Sequence, residues 1–401
     1  MLRFDEVNML RRFACRTLPL LLFTLTAASI AFSVERVVDL TAPDGVKLKA
    51  SYFPAAKRGP GVLLLHQCNR DRKVWDGLAT QLAGAGINVL TLDMRGFGES
   101  GDTPRAKLSQ QEAIAQEAKW PADIDVAFQF LVSQPGVKRD TIGAGGASCG
   151  VNNSIQTARR HPEVRSLVLL SGPTDYHGRQ FLRSSTNVPA LFAFADDDEF
   201  PATPMGIQWL YSLSANPGKK LVHYSTGGHG SDMFKVHPEL VGMITDWYVT
   251  TLIKTPGKAP ASREAVTIPH EVQVLDTIDE PGGAAKVSQQ LQEARQHDPK
   301  ATLFREDLVN IMGYEHMQGG DTKGAIEILK LNVTAFPDSP NTYDSLSDAY
   351  LADGQKDLAR QNAKKALQLL PSDTTDNQQR RDGIRTSAEG KLKQLGDAPL
   401  Q

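Results

Sequence analysis

The run Thr141-Ile142-Gly143-Ala144-Gly145-Gly146-Ala147-Ser148-Cys149-Gly150-Val151 constrains this chain more than any other stretch. Its first residues read as a strand, and the small residues after them lead into a turn with no room for bulk at its flanks. Gly146 to Gly150 fit the spacing G-x-S-x-G. In a tight strand-to-helix turn of that kind the serine hydroxyl is lifted above a parallel sheet and a helix begins behind it. Val151 to Arg160 supplies the helix. Its positive end, with the free N–H of Cys149, would stabilise negative charge developing beside the Ser148 oxygen. A glycine-rich turn with a chance serine would carry the same letters, so the rest of the chain has to decide. Cys149 is a rival nucleophile, but centring the turn on it puts Val151 where a small residue is wanted.

At 401 residues the chain is long enough for two domains of ordinary size. Lys plus Arg (44) nearly balance Asp plus Glu (46), so no overall field recruits nucleic acid or an anionic membrane. The partner is expected to be small or proteinaceous, and no nucleic-acid partner is expected. Arg11, Arg12 and Arg16 precede the apolar run Leu18 to Ile30, with small residues after it. That is the basic, apolar, cleavable plan of a secretory signal, and the run is short of the roughly 20 apolar residues a bilayer span needs. Residues 1–33 are therefore expected to be removed, leaving an exported protein, periplasmic or secreted. Of the three cysteines, Cys15 would leave with the signal, and Cys68 and Cys149 would remain in a compartment that favours oxidation.

Val34 to Leu40 and Val46 to Phe53 alternate apolar and polar residues around Pro43-Asp44-Gly45, predicting an antiparallel hairpin at a sheet edge. Gly61 to His66 is instead continuously apolar, as a central strand buried on both faces would be. Helical spacing from Trp75 to Leu82 leads to a second such strand at Ile87 to Asp93, a parallel unit with a right-handed crossover. The loop Arg95 to Gly101 is glycine-rich but lacks the Gly-Lys-Ser/Thr ending of a phosphate loop. After it come a helix over Pro121 to Leu131, the Ser148 strand, strands at Val164 to Leu170, Pro189 to Ala195 and Lys220 to Tyr224, and a closing helix over Leu240 to Leu252. Residues 34–253 thus read as an open, mostly parallel α/β sheet with helices on both faces. In such sheets the chemistry sits beyond the carboxyl ends of the strands.

A serine is a weak nucleophile at neutral pH and needs a base, which needs an orienting carboxylate. Pro189 to Ala195 runs into Asp196-Asp197-Asp198-Glu199, of which Asp198 is the chosen acid and Asp197 the fallback. Lys220 to Tyr224 runs into Gly227-Gly228-His229-Gly230, an uncluttered loop from which His229 can reach over the sheet. Ser148, Asp198 and His229, each after a successive strand end, follow the chain order nucleophile, acid, base. The oxyanion hole needs a second donor from the loop after an earlier central strand. His66-Gln67-Cys68-Asn69 leaves such a strand, so the N–H of Gln67 or Cys68 would pair with that of Cys149, and His66 itself reads as a buried packing histidine.

From about Val46 to Leu252, on Leu-Leu-Leu-His-Gln, Leu-Asp-Met-Arg-Gly-Phe-Gly-Glu-Ser, Gly-Ala-Ser-Cys-Gly, Asp198 and Gly-Gly-His-Gly, the chain resembles the α/β-hydrolase superfamily. Within it the chain is most similar to the dienelactone-hydrolase-like and prolyl-oligopeptidase-like esterases. Dienelactone hydrolases typically place cysteine where this chain has Ser148, so lactone hydrolysis does not carry over. The common His-Gly is His66-Gln67 here, which would narrow the oxyanion loop. Only Gly172 to Asn187 separates two strands where relatives insert a cap, so no large lid is expected and the site should be open to a small acyl substrate. Tyr176, Phe181 and Phe200 are candidates for lining the acyl side. Cys68 and Cys149 belong to loops that should meet at the oxyanion hole; two small buried thiols is the preferred reading, a bridge the other.

Lys254 to Ser262 is a linker by composition, within a stretch 254–271. Over 272–398 the strand pattern gives way to helical spacing with an internal period: Ala325 and Ala359, and Pro337 and Pro371, are each 34 residues apart. That period and those placements resemble the tetratricopeptide repeat, a stacking helix hairpin. Ala284 to Pro299 reads as a preceding half-repeat and Gln378 to Leu395 as a capping helix. So few repeats are expected to dock on the first domain or to dimerise, and a groove for a peptide or protein partner is one use of them. The expected activity is hydrolysis of a carboxylic ester or related acyl bond through an acyl-enzyme. No cofactor or metal is expected, since neither His-Glu-x-x-His nor paired cysteine spacing occurs. The competing reading is a catalytically silent scaffold whose repeats bind a protein; a serine peptidase would use the same parts.

Overall fold

The structure is a computed structural model that describes residues 34–261 and 266–397; the expected signal segment lies outside them. The described residues form one compact unit. Its eight strands are β1 (Arg36–Thr41), β2 (Lys47–Phe53), β3 (Gly59–Leu65), β4 (Asn88–Leu92), β5 (Val137–Ala147), β6 (Val164–Leu170), β7 (Ala190–Ala195) and β8 (Lys219–Tyr224). They form one sheet in the order β1-β2-β4-β3-β5-β6-β7-β8. β1 pairs antiparallel with β2 and β2 with β4, whereas every pairing from β4 onward is parallel. The expected edge hairpin is thus at the edge. Burial follows the same logic: β1 is mostly exposed, and all seven residues of β3 are buried.

Alternation along β3 divides the core. Leu63 and Leu65 face one side of the sheet, where α3 (Trp120–Ser133), which follows α2 (Gln110–Glu117), α4 (Cys149–Arg160), α5 (Tyr176–Ser184) and α6 (Thr203–Leu213) lie; Ile124, Phe128, Ile155 and Leu210 close that layer. Val62 and Leu64 face the other, covered by α1 (Asp76–Gly84), α7 (Met233–Val236) and α8 (Glu239–Tyr248) through Leu78, Leu82, Met233 and Ile244. Tyr248 of α8 explains part of the glycine run in β5. A Cβ on Gly143 would stand 2.7 Å from its ring and one on Gly145 2.7 Å from its hydroxyl, which donates to the Ala144 carbonyl at 2.9 Å. Those two glycines serve the closing helix, and only Gly146 and Gly150 serve the turn around Ser148.

Beyond the sheet the chain is all helix: α9 (His270–Asp279), α10 (Gly283–His297), α11 (Glu306–Gln318), α12 (Thr322–Ala335), α13 (Pro340–Ala352), α14 (Lys356–Leu369) and α15 (Gln378–Gln394). α11 and α13 start at 306 and 340, and α12 and α14 at 322 and 356, a spacing of 34 in both cases. The close approach inside a hairpin sits where the side chain is smallest: a Cβ on Gly313 of α11 would meet Leu329 of α12 at 2.6 Å. The expected half-repeat before these pairs is a whole hairpin, because α9 precedes α10. Its short apolar stripe, Val272, Leu275 and Ile278, is buried.

The helices dock on the α/β unit. Met205 and Trp209 of α6 pack against their core. Arg179 of α5 is buried between Asp279 of α9 and Glu315 of α11, and Arg183 reaches Asp276 at 2.6 Å and Asp279 at 3.0 Å.

Candidate active site

The turn after β5 is built as its letters require. Ser148 has φ 53° and ψ −121°, a backbone conformation that side-chain-bearing residues rarely hold and that costs on the order of 1–3 kcal/mol. Two close approaches hold it there. A Cβ on Gly146 would lie 2.0 Å from the Gly150 carbonyl oxygen, and one on Gly150 would lie 2.3 Å from the Leu65 carbonyl oxygen. The Ser148 N–H donates to the Leu170 carbonyl at 2.9 Å, which anchors the turn to β6. α4 starts at Cys149, so its N-terminal dipole points at this turn.

The four acids after β7 turn out to have separate uses. Asp198 has a fully buried carboxylate, both oxygens of which lie 2.9 Å from Nδ1 of His229, and the first also accepts the Phe200 N–H at 2.9 Å. Asp197, the fallback acid, accepts the Gly228 N–H at 2.8 Å and so fastens the histidine's loop. Asp196 meets His223 at 2.8 Å, and Glu199 extends toward Asn69. His229 is 4% exposed, and the Phe200 ring stands edge-on to it at 4.7 Å between centroids. The histidine's loop meets the serine turn directly, since a Cβ on Gly230 would lie 3.1 Å from that of Ala147. The structure thus pairs Asp198 with His229 and sets the histidine's loop against the end of the strand that leads into Ser148.

The loop after β3 completes the surroundings. The Met94 N–H donates to Nε2 of His66 at 3.1 Å, so Nδ1 carries the proton and donates to the Gln67 carbonyl at 2.8 Å; burial pushes this imidazole's pKa down, and it is neutral. Gln67 does not merely narrow the loop. Its buried Oε1 accepts both the N–H and the hydroxyl of Ser231, at 2.7 and 2.8 Å, which ties the loop to the residues just after His229. The amino acid letters give no hint of this tie between residues 164 apart. Cys68 and Cys149 form a disulfide, against the reading preferred from sequence. The cause is topological: β3 and β5 are neighbours, and the loops leaving them bring the two Cα atoms to 5.9 Å. The bridge joins the two segments whose N–H groups, Gln67 and Cys149, are the candidate oxyanion donors.

The candidate acyl-side aromatics separate. Phe200 stands at the site, against His229. Tyr176 packs on His316 of α11, 4.3 Å between ring centroids, and so belongs to the junction with the C-terminal helices. Phe181 packs into the core on the α3 and α4 face of the sheet. Among the described residues no three His, Cys, Asp or Glu side chains converge as metal ligands do.

A second ionic centre escaped the sequence reading because its partners are far apart in the chain. Asp93, at the end of β4, accepts the Arg72 N–H at 2.7 Å and the Glu99 N–H at 2.8 Å and pairs with the Arg72 guanidinium. Arg95 spans Asp123 at 2.6 Å and Asp44 at 2.7 Å. The Arg95 guanidinium holds the Asp44 carboxyl well below the usual carboxylate range. These pairs shape the Arg95 to Gly101 loop, and Gly98 is required there, with φ +51° and room for no Cβ beside Asp93.

A mostly parallel eight-stranded sheet, a strained serine at the turn after β5, and an acid and a histidine after β7 and β8 are the arrangement of the α/β-hydrolase fold. Residues 59–188 match the family model described as serine aminopeptidase, S33. Thiohydrolase aneE of Aspergillus aculeatus is 28% identical over 132 residues, 33% of this chain and 39% of the relative. Acyltransferase drtE of Aspergillus calidoustus is 25% identical over 229 residues, 56% of this chain and 70% of the relative. The chain thus spans well under two thirds of the thiohydrolase's length. Among solved structures, the Pyrococcus furiosus esterase Pf2001 aligns with a TM-score of 0.44 at 18% identity, over 55% of this chain and 93% of that one.

Proposed function

We propose that the protein is an exported serine hydrolase that cleaves a carboxylic ester or a related acyl bond through an acyl-enzyme. The observation that carries this reading is a serine held at positive φ next to the loop that bears a buried His229–Asp198 dyad. In this mechanism His229 takes the Ser148 proton as the hydroxyl oxygen attacks the acyl carbon. Asp198 fixes the tautomer with the proton on Nδ1 and stabilises the imidazolium. The N–H groups of Gln67 and Cys149 receive the oxyanion, and the α4 dipole adds to them. His229 then protonates the leaving group, and water, activated by the same histidine, releases the acid and restores Ser148.

An ester and a thioester use these steps alike, and the names of the thiohydrolase and acyltransferase relatives favour acyl transfer at activated acyl bonds. An aminopeptidase would need a free carboxylate beside the site for the substrate's amino group. Glu315 of α11, which reaches α5, is paired with Arg179. The likeness to a thiohydrolase and an acyltransferase is the reason for ranking the esterase above the peptidase.

The test is labelling of the mature protein with a fluorophosphonate and mapping of the adduct by mass. The wild type is expected to label on the Ser148 peptide and Ser148→Ala not at all; a folded wild type that takes no label would end the hydrolase reading and turn attention to partners of the helical repeats. Recovery of a chain whose N-terminus begins near residue 34 from the exported fraction tests the location.

A further inference from the structure

Building on the serine-hydrolase reading, we propose that the C-terminal helices form one wall of its acyl pocket and select an apolar acyl group of about six carbons. An apolar pocket of about 170 Å³ lies where the two parts of the molecule meet. One wall is α6, through Met205, Trp209 and Leu210; the facing wall is helical, through Leu275 of α9 and Leu308, Ile311 and Met312 of α11. No segment inserted between β6 and β7 contributes a lid. The C-terminal helices pack instead beside α5 and α6, next to the short Gly172 to Asn187 connection.

Two residues of its lining adjoin the segments that carry the reacting groups. Pro173 lines it, and the adjoining Gly172 is so close to the nucleophile's turn that a Cβ there would stand 2.3 Å from the Ser148 carbonyl oxygen. Thr203 lines it on the other side, with its N–H donating at 2.8 Å to the carbonyl of Phe200, whose ring rests on His229. An acyl group entering from Ser148 would therefore run between α6 and α11.

The lining states what fits. Arg179 and Glu315 are the only charged groups in it, and they are paired with each other. An anionic or cationic acyl tail would find no free counter-charge there, and burying one unpaired is costly. An apolar cavity of roughly 150 Å³ takes up a benzene ring, so the space here matches a hexanoyl-sized or benzoyl-sized group and excludes a long lipid chain. Ile311, 54% exposed, leaves an apolar surface at the mouth that such a group would cover.

Three measurements on the full-length protein decide it. The first is the ratio of kcat/KM for p-nitrophenyl hexanoate over p-nitrophenyl acetate in the wild type, in Ile311→Trp, which fills the mouth, and in Ile114→Trp, an exposed position on α2. The ratio is expected to fall at least tenfold in Ile311→Trp and to stay put in Ile114→Trp. The second uses Ser148→Ala with 13C-labelled methionine methyls. Methyl hexanoate is expected to shift the Met205 and Met312 resonances, and methyl acetate is not. An unchanged ratio, or methyls that do not respond to methyl hexanoate, overturns the pocket. The third is fluorophosphonate labelling of the same wild-type sample. If that fails, the serine-hydrolase reading fails by itself, and the methyl shifts still decide whether the pocket takes a six-carbon group.

Discussion

At the scale of single residues, Gln67 is the least expected participant. Its backbone N–H is a proposed oxyanion donor, while its side chain holds Ser231 and lies 3.4 Å from the His229 carbonyl. Cutting it back to alanine leaves two buried donors of Ser231 without an acceptor, at a cost of about 1–3 kcal/mol, and frees the loop that carries the proposed base. Gln67→Ala is therefore expected to lower kcat about tenfold while moving KM less than threefold, because it disturbs the position of His229 rather than the pocket. A change confined to KM would refute this positioning role. Legibility differed sharply between neighbouring residues. Ser148, Asp198 and His229 could be read from the chain because each sits in a tell-tale local setting, a glycine-bounded turn or the end of an apolar strand. The Gln67 to Ser231 tie and the Arg72 to Asp93 pair have no local signature, since any polar residue would look the same until the loops are brought together.

At the scale of elements, β5 meets two demands at once. Its last glycine opens the serine turn, and the two before it admit the ring of Tyr248 from α8. Gly145→Ala would push a methyl group to 2.7 Å from the Tyr248 hydroxyl and 3.0 Å from Leu64. Overpacking of this kind costs about 1–3 kcal/mol. Thermal unfolding is expected to show that loss in Gly145→Ala, and Tyr248→Phe placed in the same chain should recover part of it; additive losses in the double variant would count against the contact. The disulfide belongs to this scale too. It closes a loop from Cys68 to Cys149, a sequence separation of 81, across neighbouring strand ends. Bridges over loops of that size typically stabilise by about 2–4 kcal/mol. Reduction under native conditions is accordingly expected to lower the melting temperature and to reduce fluorophosphonate labelling, because the two proposed oxyanion donors lose their common tether.

At the scale of the whole molecule, the junction between sheet and helices rests on Asp279. Burial by itself would raise its carboxyl pKa, but the hydrogen bond from His316 and the Arg179 charge outweigh burial and hold it well below the usual range. A folded-state pKa below the unfolded value, near 3.9, contributes stability that is complete above about pH 4 and is lost as the pH falls toward the folded-state pKa. Through this group, docking of the helices should therefore weaken as the pH falls below 4. Trp209, whose Nε1 donates to Asp276 at 3.3 Å across the junction, reports it by fluorescence. Asp279→Asn leaves the buried Arg179 short of a partner, a loss of about 3 kcal/mol, so it should show at pH 7 the loosened junction that the wild type shows only in acid. Identical fluorescence in the two at pH 7 would remove Asp279 from this role.

The sequence alone determined the parts: apolar runs for buried strands, helical spacing between them, small residues where the chain turns hard on Ser148, and a 34-residue period beyond residue 272. These are local properties, since a strand's burial and a turn's tolerance for side chains are written in neighbouring residues. Tertiary structure decided everything that depends on two distant segments meeting. It closed the Cys68 to Cys149 bridge, completed the first helical hairpin with α9, turned Tyr176 toward His316 and laid the C-terminal helices against α5 and α6. Those outcomes follow from strand order and from the packing of α5 and α6 against α9 and α11, which no short window of sequence contains.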